Sequence, residues 1–101
     1  LPSAAALLAA GERALAGRDP VAATTAFRQA AYLDPANPIA HLQLGLALEA
    51  QGRPAPATRA FRAARNALRR MAAGSADPRL LGYRVEALVQ LIDGKLARSG
   101  R

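Results

Sequence analysis

The sequence predicts an all-α fold, on three observations. The 101 residues are 51% hydrophobic but only 4% aromatic, with no Trp. Ala and Leu must therefore fill the core, and Ala-rich surfaces favour helix on helix over a sheet. Two stretches repeat each other 34 positions apart: Gly11, Ala23, Phe27 and Ala30 return as Gly45, Ala57, Phe61 and Ala64, and the two Phe are the only ones in the chain. Finally, an Asp or Asn followed by Pro recurs at Asp19-Pro20, Asn37-Pro38 and Asp77-Pro78. That pairing places a capping side chain before a proline in the first helical turn. A chain of this length is one domain with a thin core, burying roughly 60–65% of its unfolded surface.

Ser3 is placed to cap a first helix over Ala4–Ala16, and Gly17 is expected to stop it in the left-handed conformation. A second helix opens at Asp19-Pro20 and runs to about Leu33. The third runs from Pro38 to about Gln51 and stops at Gly52. The fourth begins near Pro54 and continues to about Met71 or Ala72. On its wheel Ala57, Ala60, Phe61, Ala64, Ala67, Leu68 and Met71 share one face, while Arg59, Arg62, Arg65, Arg69 and Arg70 fall on the other. A loop over 73–77 leads to a fifth helix that starts at Pro78 or as late as Gly82. Its stripe is Leu81, Val85, Leu88, Ile92 and Leu96, spaced by three or four, and beyond Arg98 the tail is expected to fray.

A period of 34 is that of the tetratricopeptide repeat, and the chain resembles that family in its motif residues. The second copy reads His41, Leu44-Gly45, Leu48, Ala57 and Phe61; the first reads Leu7, Ala10-Gly11, Ala14, Ala23, Phe27 and Pro35. The resemblance implies two helix-turn-helix repeats, at about 4–36 and 37–72, with a capping helix at about 78–98, in a short right-handed α-solenoid. The Gly would let the two helices of a repeat cross closely, and the Phe would fill the gap between repeats. Arg69 stands where the second repeat would close with Pro, so the fourth helix is expected to overrun the family's usual length. A narrower resemblance covers Phe27 to Leu96. Tyr32-Leu33-Asp34-Pro35, Ala40-His41, the Gly52-Arg53-Pro54 turn and the Ala-Phe-x-x-Ala stretch around Phe61 look like the C-terminal repeat region of chemotaxis-type receptor methyltransferases. Those bacterial enzymes transfer methyl groups from S-adenosylmethionine to receptor glutamates. No Gly-rich loop after a strand is present here, so this resemblance implies a regulatory or targeting module without a cofactor, cut from a longer protein.

The residues themselves offer little chemistry. His41 is the only His and there is no Cys, so neither a metal site nor a nucleophile–base pair is expected, and His41 is read as a packing residue. Glu12, Asp19, Asp34, Glu49, Asp77, Glu86 and Asp93 are scattered, with no pair placed for acid–base work. No enzymatic activity is expected within these boundaries. The opening LPSAAALLAAG lacks a basic leader and is short for a membrane span. With no cysteine, a reducing, cytoplasmic setting is the expectation.

The net charge of +7 is nearly all Arg, and such a domain attracts acidic proteins, nucleic acid or anionic lipid. The Arg face of the fourth helix, Arg59, Arg62, Arg65 and Arg69, reads first as a solvated face, then as a site for an acidic protein, and last as a nucleic-acid surface, because neither Tyr lies in the stripe. The repeat resemblance implies a concave groove lined by Leu8, Glu12 and Leu15 of the first helix and Ile39, Leu42, Gln43, Leu46 and Glu49 of the third. Some family members hold a peptide carboxylate there with Lys, Asn and Arg. The Leu and Glu found here suit an apolar or amphipathic segment instead, unless the fifth helix or a second copy of the domain covers the groove. The leading function is therefore a protein-interaction module binding a chemoreceptor or signalling partner. A scaffold in secretion or envelope assembly, a homodimer and a nucleic-acid-binding module are the alternatives.

Overall fold

The computed structural model describes residues 1–99 and is all-α: α1 (Ala4–Ala16), α2 (Pro20–Leu33), α3 (Pro38–Ala50), α4 (Pro54–Arg69) and α5 (Val85–Ser99), with a single 3-10 turn at Pro78–Leu80 before α5. The starting signals of α1, α2 and α3 act as expected. Ser3 Oγ accepts from Ala6 N–H at 3.1 Å, Asp19 Oδ1 from Ala22 N–H at 3.1 Å and Asn37 Oδ1 from Ile39 N–H at 2.9 Å. These contacts satisfy amide groups that the first turn of a helix leaves without partners. Gly100 and Arg101, the tail expected to fray, lie outside the described residues.

Helices α1–α2 and α3–α4 form two hairpins, α3 packs on α2, and α5 packs on α4. The molecule measures 38 × 34 × 20 Å, and its thin dimension equals two helix diameters. In each hairpin a phenylalanine ring fills a gap that only glycine leaves. A Cβ built on Gly11 would stand 2.4–2.7 Å from the ring of Phe27, and one on Gly45 would stand 2.5–2.9 Å from the ring of Phe61. Both rings are fully buried. Phe61 joins α3, α4 and α5 through Leu48, Ala57, Ala64, Leu68, Leu88 and Ile92, while Phe27 packs with Ala23 and Ala47.

The first helix stops differently from expectation. Gly17 has φ −83°, and the left-handed residue is Arg18 at φ 60°. The 34-residue repeat explains the shift. Arg18 corresponds to Gly52, which has φ 69°, and Asp19 N–H bonds Ala14 C=O just as Arg53 N–H bonds Leu48 C=O. The turn geometry is inherited by the repeat, whereas the glycine suited to it stands only in the second copy. Helix α4 ends at Arg69, short of Met71, yet still runs two residues past the point equivalent to the end of α2.

The largest departure is the entry to α5. Pro78 opens only a 3-10 turn, Leu81 and Gly82 adopt left-handed φ of 56° and 84°, and the α-helix starts at Val85. Leu81, expected in the buried stripe, is 64% exposed, and Leu80 is buried in its place. Val85, Leu88 and Ile92 are buried as the spacing requires, with Leu96 half-buried against them.

Two stability tests follow. Gly45→Ala should cost about 1–3 kcal/mol by overpacking against Phe61; in a Phe61→Ala background, itself about 3–5 kcal/mol less stable, the same change should be neutral or favourable because Ala is the better helix former. Chemical denaturation of the four proteins measures this coupling, and equal costs in both backgrounds would refute it. Arg18→Gly should raise stability by about 0.5–1 kcal/mol by relieving a left-handed non-glycine residue.

Candidate functional site

Two adjoining hollows, of about 390 and 380 Å³, run along the side formed by α1, α3 and the segment leading into α5. One is bounded by Leu8 and Glu12 of α1, Ile39 of α3 and Arg79 of the 3-10 turn; the other lies between Leu42, Gln43 and Leu46 of α3 and Ala87 and Leu91 of α5. Ile39 and Leu81 border both. Helical spacing places Ile39, Leu42, Gln43 and Leu46 on one face of α3, and α5 supplies the opposing wall.

Six of the eight residues expected in the groove therefore border it. Leu15 instead packs with Ala23, Phe27 and Ala47, and Glu49 is paired with Lys95 of α5 at 2.9 Å. Ile39 and Leu42 border the hollow without being open to it: both are buried, in one cluster with Leu80, Val85, Leu88 and Ile92. The Leu80 turn and α5 together thus bury Ile39 and Leu42 of α3. The accessible apolar surface comes from residues that the sequence reading did not select, Leu81, Tyr83 and Leu91, which are 64%, 60% and 47% exposed. Leu91 was discoverable, since it is a large aliphatic one step off the buried stripe of α5. Leu81 and Tyr83 depend on the backbone reversal at Leu81-Gly82.

The floor of the site is held by charge. Arg79 donates to both carboxylate oxygens of Asp77, and through Nη1 to Asp34 Oδ1 in the α2–α3 turn at 3.0 Å. Asp77 also accepts the Arg79 backbone N–H at 2.9 Å. Arg79 thereby ties the linker before α5 to the junction of the two hairpins. The Arg79 guanidinium, and then its backbone N–H, hold the Asp77 carboxyl below its ordinary range. In the same turn region His41 Nε2 lies 2.8 Å from Pro35 C=O, so the only histidine tethers the α2–α3 connection. Among the described residues no group of three or more His, Cys, Asp or Glu could hold a metal ion, and no helix is long and apolar enough to cross a membrane.

On the opposite side, Arg59, Arg62 and Arg69 of α4 are exposed and carry no ion pair among the described residues. Arg65 does not belong with them. It reaches Asp93 of α5 at 3.1 Å, is only about one-quarter exposed, and its Nε is buried without a partner. Arg65 is a clasp between α4 and α5, and reversing its charge would set two carboxylates face to face.

A further apolar hollow of about 460 Å³ lies by Leu7, Tyr32 and Leu33. Part of its wall is Leu1 and Pro2, which precede the first helix, whereas the α3–α5 hollow is walled by helices on both sides. The latter is the better-formed candidate site.

Because the folded Asp77 carboxyl titrates below the unfolded value of about 3.9, its contribution to stability is present above about pH 4 and lost as the pH falls through the folded value. The expected result is a carboxyl titration midpoint below about 3.9 for Asp77 by NMR, and a shallower acid-induced fall in melting temperature for Asp77→Asn. An unchanged acid dependence would remove Arg79 as the anchor. Compared with known protein families, curated proteins and solved structures, the chain matches none.

Proposed function

We propose that this domain is a protein-interaction module that holds an apolar or amphipathic partner segment between α3 and α5. The observation that carries the reading is the exposure of Leu81, Tyr83 and Leu91 around a hollow floored by Leu42 and Leu46. Large hydrophobic side chains grouped around a concavity favour a partner, whereas single ones scattered over a surface do not. The interface is short, so binding is micromolar and ordering the ligand offsets much of the gain.

The motif residues around Gly11, Phe27, Gly45 and Phe61, at the 34-residue period, support a tetratricopeptide-repeat module. The Tyr32–Pro35 and Ala40-His41 segments support the C-terminal repeats of a chemotaxis-type receptor methyltransferase, acting in the cytoplasm. In that role the module recruits a chemoreceptor or signalling protein, and a different part of the protein carries methyl transfer.

The test uses residues that folding does not need. Leu81→Asn keeps a side chain that tolerates the left-handed backbone, and Leu91→Glu places a charge at the rim. Titration calorimetry with a chemoreceptor cytoplasmic fragment should show at least a tenfold loss in the double variant, with an unchanged melting temperature. Equal binding by parent and variant would reject the hollow as the site. Conversion of a dimer to a monomer without loss of receptor binding would assign the hollow to self-association. Leu42→Glu is unsuitable here, since Leu42 is buried and its replacement would unfold the domain.

A further inference from the structure

We infer that the outer face of α4 is a second interaction surface, and that it binds an acidic polypeptide segment. It lies on the side of α4 opposite its core face, so this inference stands or falls independently of the hollow between α3 and α5. Arg59, Arg62 and Arg69 follow one another along the exposed ridge of α4, with Asn66 between the last two and Arg70 beside it. Arg28 is the counterpart of Arg62 one repeat earlier, and it too is exposed. None of these guanidinium groups has a carboxylate partner among the described residues, although the basic residues on the side that docks α5 do: Arg65 pairs with Asp93, Lys95 with Glu49 and Arg79 with Asp34. No acidic residue occurs from Ala50 to Ala76. The acidic residues near α4 are thus engaged by the groups that dock α5, and the ridge is left as an uncompensated positive strip.

The chemistry of the strip selects its partner. Arginine presents a planar fork that matches carboxylates two bonds at a time. From Arg59 to Arg69 the ridge is about 15 Å long at 1.5 Å per residue, which matches three turns of an acidic helix or a short extended run of Asp and Glu. Nucleic acid fits less well. A single-stranded ligand calls for aromatic side chains among the charges on which bases stack, and α4 has none on this face: its one aromatic residue, Phe61, is fully buried. A membrane surface calls for large apolar side chains beside the charges, and the exposed positions of α4 are Pro, Ala, Arg and Asn.

Poly-L-glutamate is the probe, followed by fluorescence anisotropy over a series of salt concentrations. The parent should bind with an affinity that falls steeply with salt. Arg59→Glu, Arg62→Glu and Arg69→Glu together should weaken binding at least tenfold and flatten the salt dependence. The control carries the same change in net charge elsewhere, at Arg13, Arg84 and Arg98, and should retain binding within about threefold of the parent. Equal losses in the two triple variants would mean that only net charge matters and would overturn the proposal. Stronger binding of the parent to oligo-dT or to phosphatidylserine vesicles than to poly-L-glutamate would overturn it as well. If circular dichroism shows the Glu variant unfolded, the corresponding Arg→Gln triple variant, compared with a Gln control at Arg13, Arg84 and Arg98, gives the same decision.

Discussion

The contact between a helical glycine and a phenylalanine ring sets the geometry of both hairpins. At Gly11 and Gly45 any side chain would stand inside the ring that now fills the crossing. Glycine in mid-helix costs up to about 1 kcal/mol in propensity relative to Ala. Burying a Phe against the bare backbone offsets that cost, because a ring in full contact is among the largest contributions a small core can receive. With the crossing set by this contact, Ala can occupy most of the remaining positions, and the helices approach closely without larger side chains. The low aromatic content follows from the same geometry: one ring per hairpin is enough.

A stack of such hairpins leaves an apolar face on its last member. Helix α5 covers that face, and it does so with two kinds of interaction. Val85, Leu88 and Ile92 enter the core with Phe61, while Asp93 and Lys95 reach back to Arg65 and Glu49. The linker is secured separately through Arg79, which joins Asp77 to Asp34. The ion pairs are partly exposed and add little stability each; their effect is to set the rotation of α5 on α4 and α3. That rotation determines which residues of α5 turn inward and which, as with Leu91, border the hollow.

Charge is divided between the two sides of the molecule. The hollow side holds compensated pairs, Arg79 with two aspartates and Lys95 with Glu49, around an apolar surface. The outer ridge of α4 holds guanidinium groups without carboxylate counterparts among the described residues. The two proposed surfaces lie on different faces and impose no steric conflict on each other.

The starts of α1, α2 and α3 were legible in the sequence because they rest on local chemistry. Ser3, Asp19 and Asn37 cap amides within three residues of themselves, and the 34-residue recurrence of Gly and Phe reports a packing distance that any copy must reproduce. Burial of Phe61, Val85, Leu88 and Ile92 followed from spacing alone for the same reason. The candidate site was legible only in part. Ile39 and Leu42 lie on the expected face of α3, but whether that face meets water depends on where α5 lands, and periodicity carries no information on that. Likewise Arg65 is indistinguishable in sequence from Arg62 and Arg69; only the position of Asp93 separates a clasp from a free charge. Leu81 shows the limit most clearly. Its four-residue spacing from Val85 promised a buried helical position, yet two successive left-handed residues turn it outward, because long-range docking of Leu80 and Arg79 overrides a short-range pattern that a single helical turn cannot enforce.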